Sequence, residues 1–69
     1  MKVLVEAYWD DEAQVWVASS VEDIGLVTEA DTVEKLSAKL AQMVPDLLDD
    51  QPGPFEIELV TRSHQTIAA

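Results

Sequence analysis

One stretch of the sequence has the periodicity of an amphipathic helix, and it limits the folds open to the rest of the chain. Between residues 33 and 48, apolar side chains recur at spacings of three and four, with charged and amide side chains between them. The apolar positions are Val33, Leu36, Leu40, Met43, Val44, Leu47 and Leu48. This pattern predicts a helix from about residue 32 to residue 49, with one face buried against the other elements.

Local signals mark both ends of this helix. Asp31 precedes Glu34 by three residues, a spacing that predicts a capping box at the amino end. Pro45 removes one backbone hydrogen bond, but the apolar pattern continues beyond it, so we expect a kinked or restarted helix there. Residues 50–54 read Asp-Gln-Pro-Gly-Pro, which ends the helix and turns the chain back.

Four shorter segments show the alternation of polar and apolar residues that is typical of β-strands. They are residues 2–9, 14–19, 26–30 and 55–62. Gly25 precedes the third segment, and we expect it to adopt a backbone conformation that a residue with Cβ would resist. The last residues, 63–69, carry little pattern and are expected to be frayed.

The first two segments flank a short polar turn and predict an antiparallel hairpin. We expect Trp9 to pair with Val15, which places Tyr8 opposite Trp16. In that register the valines of both strands share one face of the sheet, and we expect the helix to cover that face.

The predicted order is therefore βββαβ within a single domain, residues 1–69. A helix between the last two strands is a crossover, which favours placing the fourth strand parallel to the first. We expect an α+β two-layer sandwich: a four-stranded, mostly antiparallel sheet in the order 3-2-1-4, with one helix on one face.

The face of the sheet away from the helix is predicted to hold an uncovered apolar patch. Its expected members are Leu4, Tyr8, Trp16 and Val60. A contiguous exposed patch is commonly an interface, and Tyr and Trp are frequent anchors of interfaces. The alternative is that these side chains only shield a solvated sheet.

The charge of the chain narrows the class of partner. Fourteen acidic residues against four basic ones give a net charge of −10. Such a surface repels nucleic acid, whose binding depends on Lys and Arg, and it suits a basic protein. The acids expected to contact that partner are Glu6, Asp10, Asp11 and Glu12. Solubility alone is the simpler explanation of the charge.

The sequence offers no constellation of catalytic residues, so we expect no enzyme activity, no cofactor and no metal site. His64 is the only histidine and lies in the tail. Glu6 is the one candidate ligand for magnesium, and a single carboxylate does not hold two ions, which leaves a residual nuclease as the weakest reading. No cysteine, signal peptide or membrane-spanning run is present, so we expect a cytoplasmic protein without membrane contacts.

Two segments of the sequence resemble the HicB antitoxin family. They are residues 8–18, Tyr-Trp-Asp-Asp-Glu-Ala-Gln-Val-Trp-Val-Ala, and residues 24–36, Ile-Gly-Leu-Val-Thr-Glu-Ala-Asp-Thr-Val-Glu-Lys-Leu. The chain is most similar to short HicB-like proteins that lack the DNA-binding module of full-length members. The resemblance implies a truncated ribonuclease-H-like fold and a non-catalytic antitoxin. Such a protein binds a small basic RNA-cleaving toxin, masks its active site, and assembles as a dimer or larger oligomer.

A second hypothesis needs no toxin. In it the chain is a self-associating structural domain that forms a dimer through Tyr8 and Trp16, or through pairing of strand edges. The two hypotheses differ in whether the chain binds a foreign basic protein.

Overall fold

The structure is a computed structural model that describes residues 1–68. Its elements are β1 (Lys2–Asp10), β2 (Val15–Ser20), β3 (Val27–Ala30), α1 (Val33–Leu47) and β4 (Glu56–Arg62). The predicted order is confirmed, and each strand begins and ends within one residue of its predicted position. Residues 63–68 form no regular secondary structure, and Ala69, part of the predicted frayed tail, lies outside the described residues.

The four strands form one sheet in the order β3-β2-β1-β4. β1 pairs antiparallel with β2, and β2 pairs antiparallel with β3. β4 returns after the helix to pair parallel with β1. The predicted α+β fold, with its strand order and its parallel outer strand, is confirmed. Among the described residues, no helix combines the length and the apolar character needed to cross a bilayer.

The core lies between α1 and one face of the sheet. The helix contributes buried side chains at successive turns, and the sheet contributes alternate residues of its strands. The buried apolar residues are Val3, Val5, Ala7, Ala18, Leu26, Ala30, Leu36, Leu40, Val44 and Leu48. Each fully buried Val or Leu contributes roughly 1.5–3 kcal/mol, so this small cluster supplies most of the stability of the domain.

The register of the β1–β2 hairpin differs from the predicted one. Asp10 pairs with Val15 and Trp9 pairs with Trp16, so the connecting loop is one residue shorter than expected. Gln14 closes this loop with a positive φ of 60°, and its N–H donates to the carbonyl of Asp10 at 2.8 Å. A shift of one residue moves every side chain of a strand to the opposite face. Trp16 therefore lies on the helix side of the sheet, and the predicted register is wrong.

The amino end of α1 also differs in detail from the prediction. Thr32, and not Asp31, is the capping residue, because the backbone remains extended at Thr32 with φ −133° and ψ 157°. The Oγ1 atom of Thr32 accepts a hydrogen bond from the backbone N–H of Lys35 at 3.1 Å. Asp31 lies one residue outside the helix, so it cannot form the predicted capping box with Glu34.

Pro45 lies within α1 and does not restart it. The helix runs without a break from Val33 to Leu47, and the N–H of Leu48 still donates to the carbonyl of Val44 at 3.0 Å. The apolar face that begins with Leu36 therefore continues to Leu48 on one helix.

Gly25 has the predicted special conformation, with φ +76°. No atom lies within 4 Å of the place where a Cβ would stand, so the requirement for glycine is one of backbone conformation and not of space. This turn delivers Leu26 into the core immediately before β3 begins.

Candidate protein-binding face

The sheet surface opposite α1, called here the open face, is the candidate site. On the central strand β1, Val3, Val5 and Ala7 point toward the helix and are at most 2% exposed, whereas Tyr8 on the other side is 56% exposed. Alternation along the strands and the pairing between them assign the remaining members. The open face consists of Lys2, Leu4, Glu6, Tyr8, Asp10, Val15, Val17, Ser19, Val27, Glu29, Glu56, Glu58, Val60 and Arg62.

Apolar and charged side chains alternate across this face. Tyr8 lies between Val17 of β2 and Arg62 of β4, because it pairs with both. One step along the sheet, Glu6 lies beside Val60. The result is a mixed face, in which the ion pair between Glu6 and Arg62 lies among apolar side chains that include the ring of Tyr8.

Three of the four predicted patch residues lie on this face, namely Leu4, Tyr8 and Val60. Trp16 does not, and its inclusion is wrong. Its ring packs against the core on the helix side, edge-on to Trp9, with ring centroids 5.4 Å apart and an interplanar angle of 64°.

Two valines take the place of the tryptophan. Val15 and Val17 occupy the open face, and the one-residue difference in the hairpin loop places them there. Sequence alternation alone gave the spacing of these residues but not the side of the sheet. The signal that could have found them is the loop length, since a four-residue loop after Asp10 fixes the register.

The acids at the hairpin tip have unequal freedom to meet a partner. Asp10 Oδ1 accepts hydrogen bonds from the backbone N–H groups of Glu12 and Ala13, at 3.1 and 3.2 Å, so this carboxylate shapes the turn. Asp11 Oδ1 accepts from the indole N–H of Trp9 at 3.3 Å. Glu12 makes no side-chain bond among the described residues and is exposed, which leaves it the freest of the three.

All four basic side chains of the chain are engaged by its own acceptors. Lys39 donates to the carbonyl of Glu29 at 2.6 Å. The other three form ion pairs: Lys2 with Glu58 at 3.6 Å, Lys35 with Asp31 at 3.1 Å, and Arg62 with Glu6 at 3.8 Å. These pairs use three of the fourteen acids, so eleven have no basic partner among residues 1–68. The excess negative charge is uncompensated.

The ion pair at the start of α1 affects the titration of its acid. The hydrogen bond from Lys35, together with its positive charge, lowers the pKa of the Asp31 carboxyl below its ordinary value of 3.8. Both side chains are exposed, so the pair contributes little stability.

Within residues 1–68 no three His, Asp or Glu side chains lie close enough together to hold a metal ion. His64 borders a shallow, open depression at the end of β4, lined also by Tyr8, Trp9, Thr61, Arg62 and Ser63.

Comparison with known proteins identifies the family. Residues 2–67 match the family described as a domain of unknown function, DUF1902. The chain belongs to this family. The DUF1902 match covers the sheet and the helix together, so the whole fold described above is the family's domain. The likeness to HicB antitoxins rests on the two sequence segments alone.

A solved structure shares the fold of this DUF1902 protein. It is the crystal structure of a hypothetical protein, TTHA1013, from the extremely thermophilic bacterium Thermus thermophilus. The two chains are 42% identical, the match covers 100% of each, and the TM-score is 0.71. No curated protein matches this chain.

Proposed function

We propose that this protein is an antitoxin-like binding module that neutralises a small basic RNA-cleaving protein by covering its active site. The observation that carries the proposal is the uncompensated charge: eleven of the fourteen acids have no basic partner among residues 1–68, and the chain has only four basic side chains. A basic protein would supply the missing counter-charges, which raises the rate and selectivity of association.

The open face gives such a partner a place to dock. Tyr8 is the exposed aromatic residue of this face, with Val17 beside it and Val60 nearby. Aromatic anchors surrounded by less critical contacts carry most of the binding energy in known interfaces. Glu6 within the open face and Glu12 at the hairpin tip then face the basic surface of the partner.

The HicB resemblance supports the choice of partner. The hairpin segment that resembles HicB contains Tyr8, and the second segment forms β3 and the start of α1. In this proposal the fold corresponds to the truncated ribonuclease-H-like fold of that family, and the protein works in the cytoplasm without cofactor, metal or catalytic residue.

The test begins with the gene beside the one for this chain, since antitoxins are normally encoded next to their targets, and the proposal expects its product to be a small basic protein. Isothermal titration calorimetry should show binding, and an RNA-cleavage assay of that protein should show inhibition when this chain is added. Absence of both binding and inhibition contradicts the proposal.

Matched variants locate the interface. Tyr8→Ala should weaken binding by about 10–30-fold, as expected when an aromatic anchor is lost. Leu47→Ala is the control, because Leu47 is 40% exposed but lies on the helix, on the other side of the sheet. Equal effects of the two substitutions would exclude the open face as the docking surface.

A second pair of variants tests the role of the acids at the hairpin tip. Glu12→Gln at the hairpin tip should slow association and reduce its dependence on salt, because a charge at the rim of an interface acts mainly on the association rate. Glu34→Gln removes an acid from the first turn of α1, away from the open face, and should leave the association rate unchanged.

A further inference from the structure

The two outer strands of the sheet differ in how well their free edges are protected from pairing with another strand. Successive residues of a strand direct their backbone groups to opposite edges. The N–H of Ser20 in β2 donates to the carbonyl of Leu26 at 3.2 Å, so Val27 and Glu29 direct theirs away from the sheet. The edge of β3 is therefore only two residues long.

The edge of β3 is also partly closed by the helix. The ammonium group of Lys39 donates to the outward carbonyl of Glu29 at 2.6 Å. A short edge covered by a lysine is a known device against unwanted strand pairing.

The edge of β4 has no such protection. The N–H of Glu56 donates to the carbonyl of Met1 at 2.8 Å, so Ile57, Leu59 and Thr61 direct their backbone groups outward. Apart from the sheet ladder, no hydrogen bond within residues 1–68 involves these three residues. They present three N–H and three C=O groups in a row.

The apolar core is also less complete at β4 than at the centre of the sheet. Val3 and Val5 of β1 are 2% and 0% exposed, whereas their neighbours Ile57 and Leu59 in β4 are only half-buried. The helix packs more closely over β3 than over β4. An additional strand beside β4 would cover both the backbone groups and these two side chains.

We propose that a second copy of this chain supplies that strand, by antiparallel pairing of the two β4 strands about a twofold axis through Leu59. In this register Leu59 faces Leu59 of the second copy, and Ile57 faces Thr61. Every outward N–H and C=O group of the three residues then has a partner, which makes six hydrogen bonds between the copies. The product is a continuous eight-stranded sheet with both helices on the same side.

Charge complementarity selects a second copy as the partner. The same register places Glu56 opposite Arg62 of the second copy, and the symmetry makes this pair twice. Glu56 has no basic partner among the described residues, and Arg62 is 70% exposed, with only a long contact of 3.8 Å to Glu6. β4 thus carries an acid at one end and a base at the other, which is self-complementary in antiparallel pairing.

Two other registers also keep the two helices on the same side of the sheet, but they give β4 less favourable side-chain pairs or fewer backbone hydrogen bonds. Pairing about Glu58 places two glutamates directly opposite each other, which is unfavourable. Pairing about Val60 brings Glu58 to Arg62 but leaves the outward groups of Ile57 beyond the paired region. The register about Leu59 avoids the repulsion and uses the whole strand.

This pairing does not depend on the antitoxin proposal. It uses the edge of β4, whereas the proposed partner docks on the open face, so a dimer would still present both tyrosines. A failure to bind any basic protein leaves the dimer intact, and a monomeric chain leaves the docking surface intact.

Sedimentation velocity on the purified chain is the first test. A seven-residue edge is a small interface, so we expect a weak dimer with a dissociation constant of roughly 10–1000 μM near 0.15 M salt. The species should have twice the chain mass of 7.6 kDa. A chain that stays monomeric up to about 1 mM overturns the proposal.

Amide hydrogen exchange at low and high protein concentration locates the interface without any substitution. The amides of Ile57, Leu59 and Thr61 should exchange more slowly as the dimer forms. Those of Val27 and Glu29, on the other outer strand, are the matched control and should not change. A dimer in which Leu59 exchanges as fast as Val27 overturns the proposal.

Charge exchange tests the register. Arg62→Glu or Glu56→Arg alone should weaken the dimer about tenfold, since each change replaces two attractive pairs with repulsive ones. The double variant should restore the dissociation constant to within about threefold. If the double variant Glu58→Arg, Arg62→Glu restores the dimer instead, the proposed register is wrong. Circular dichroism of each variant confirms that the fold is retained.

Discussion

Replacing Trp16 with alanine should destabilise the fold, because the ring packs on the helix side of the sheet. Replacing a fully buried tryptophan with alanine costs about 3–5 kcal/mol of stability. Because Trp16 is only half-buried, we expect a loss of about 2 kcal/mol. About 0.5–1.5 kcal/mol of this loss is the edge-on contact with Trp9. A domain of this size has a total stability of roughly 3–10 kcal/mol, so the effect is large.

Urea denaturation followed by far-ultraviolet circular dichroism measures the loss, with separate folded and unfolded baselines for each variant because the tryptophan pair itself contributes to the signal. Tyr8→Ala is the matched control: Tyr8 is 56% exposed on the open face and should cost less than about 1 kcal/mol. A double-mutant cycle of Trp9→Ala and Trp16→Ala should give a coupling of about 1 kcal/mol. Equal losses for Tyr8→Ala and Trp16→Ala, with a coupling below about 0.3 kcal/mol, would refute the placement of Trp16.

Four further substitutions test the ends of two elements and one ion pair. Thr32→Ala should lower the free energy of unfolding by about 1 kcal/mol through loss of the helix cap, and Asp31→Ala should lower it less; a larger loss for Asp31→Ala contradicts the assigned cap. Gly25→Ala should cost about 1 kcal/mol because φ is +76°, and an unchanged urea midpoint would show that alanine fits there. In an NMR titration, the Asp31 carboxyl should have a pKa below 3.8, and Lys35→Met should return it to about that value. Because the folded-state pKa is the lower one, the small stabilising contribution of Asp31 is present above pH 3.8 and is lost as the pH falls through the folded-state pKa. An unchanged pKa in Lys35→Met would exclude Lys35 as the cause.

The sequence was enough to predict the architecture, because the signals that determine it extend over many residues. The apolar spacing from Leu36 to Leu48 defined the buried face of α1. The position of the helix between the last two strands implied that β4 would lie parallel to β1. Errors of one residue at the end of an element do not change either conclusion.

Features that depend on a single residue could not be predicted in the same way. The hairpin register is fixed by Gln14, which adopts a positive φ although it is not glycine. The helix cap is fixed by Thr32, next to an aspartate that is an equally good capping residue. At both places two conformations one residue apart fit the sequence about equally well, and tertiary packing decides between them.

The candidate site was predicted in part for the same reason. Net charge is independent of register, so the acidic character of the surface followed from composition. The identity of the apolar side chains on the open face depends on register, and the exchange of Trp16 for Val15 and Val17 is the direct result of the hairpin difference.

The parallel pairing of β1 with β4 has a consequence for synthesis of the protein. β1 is the first strand to leave the ribosome, yet Val3 pairs with Ile57, which is translated much later. Until β4 emerges, β1 has one side unpaired beside the most apolar part of the sheet. Nascent chains that stall before Glu56 therefore carry an open strand at the centre of the fold, and we expect them to aggregate or to require a chaperone.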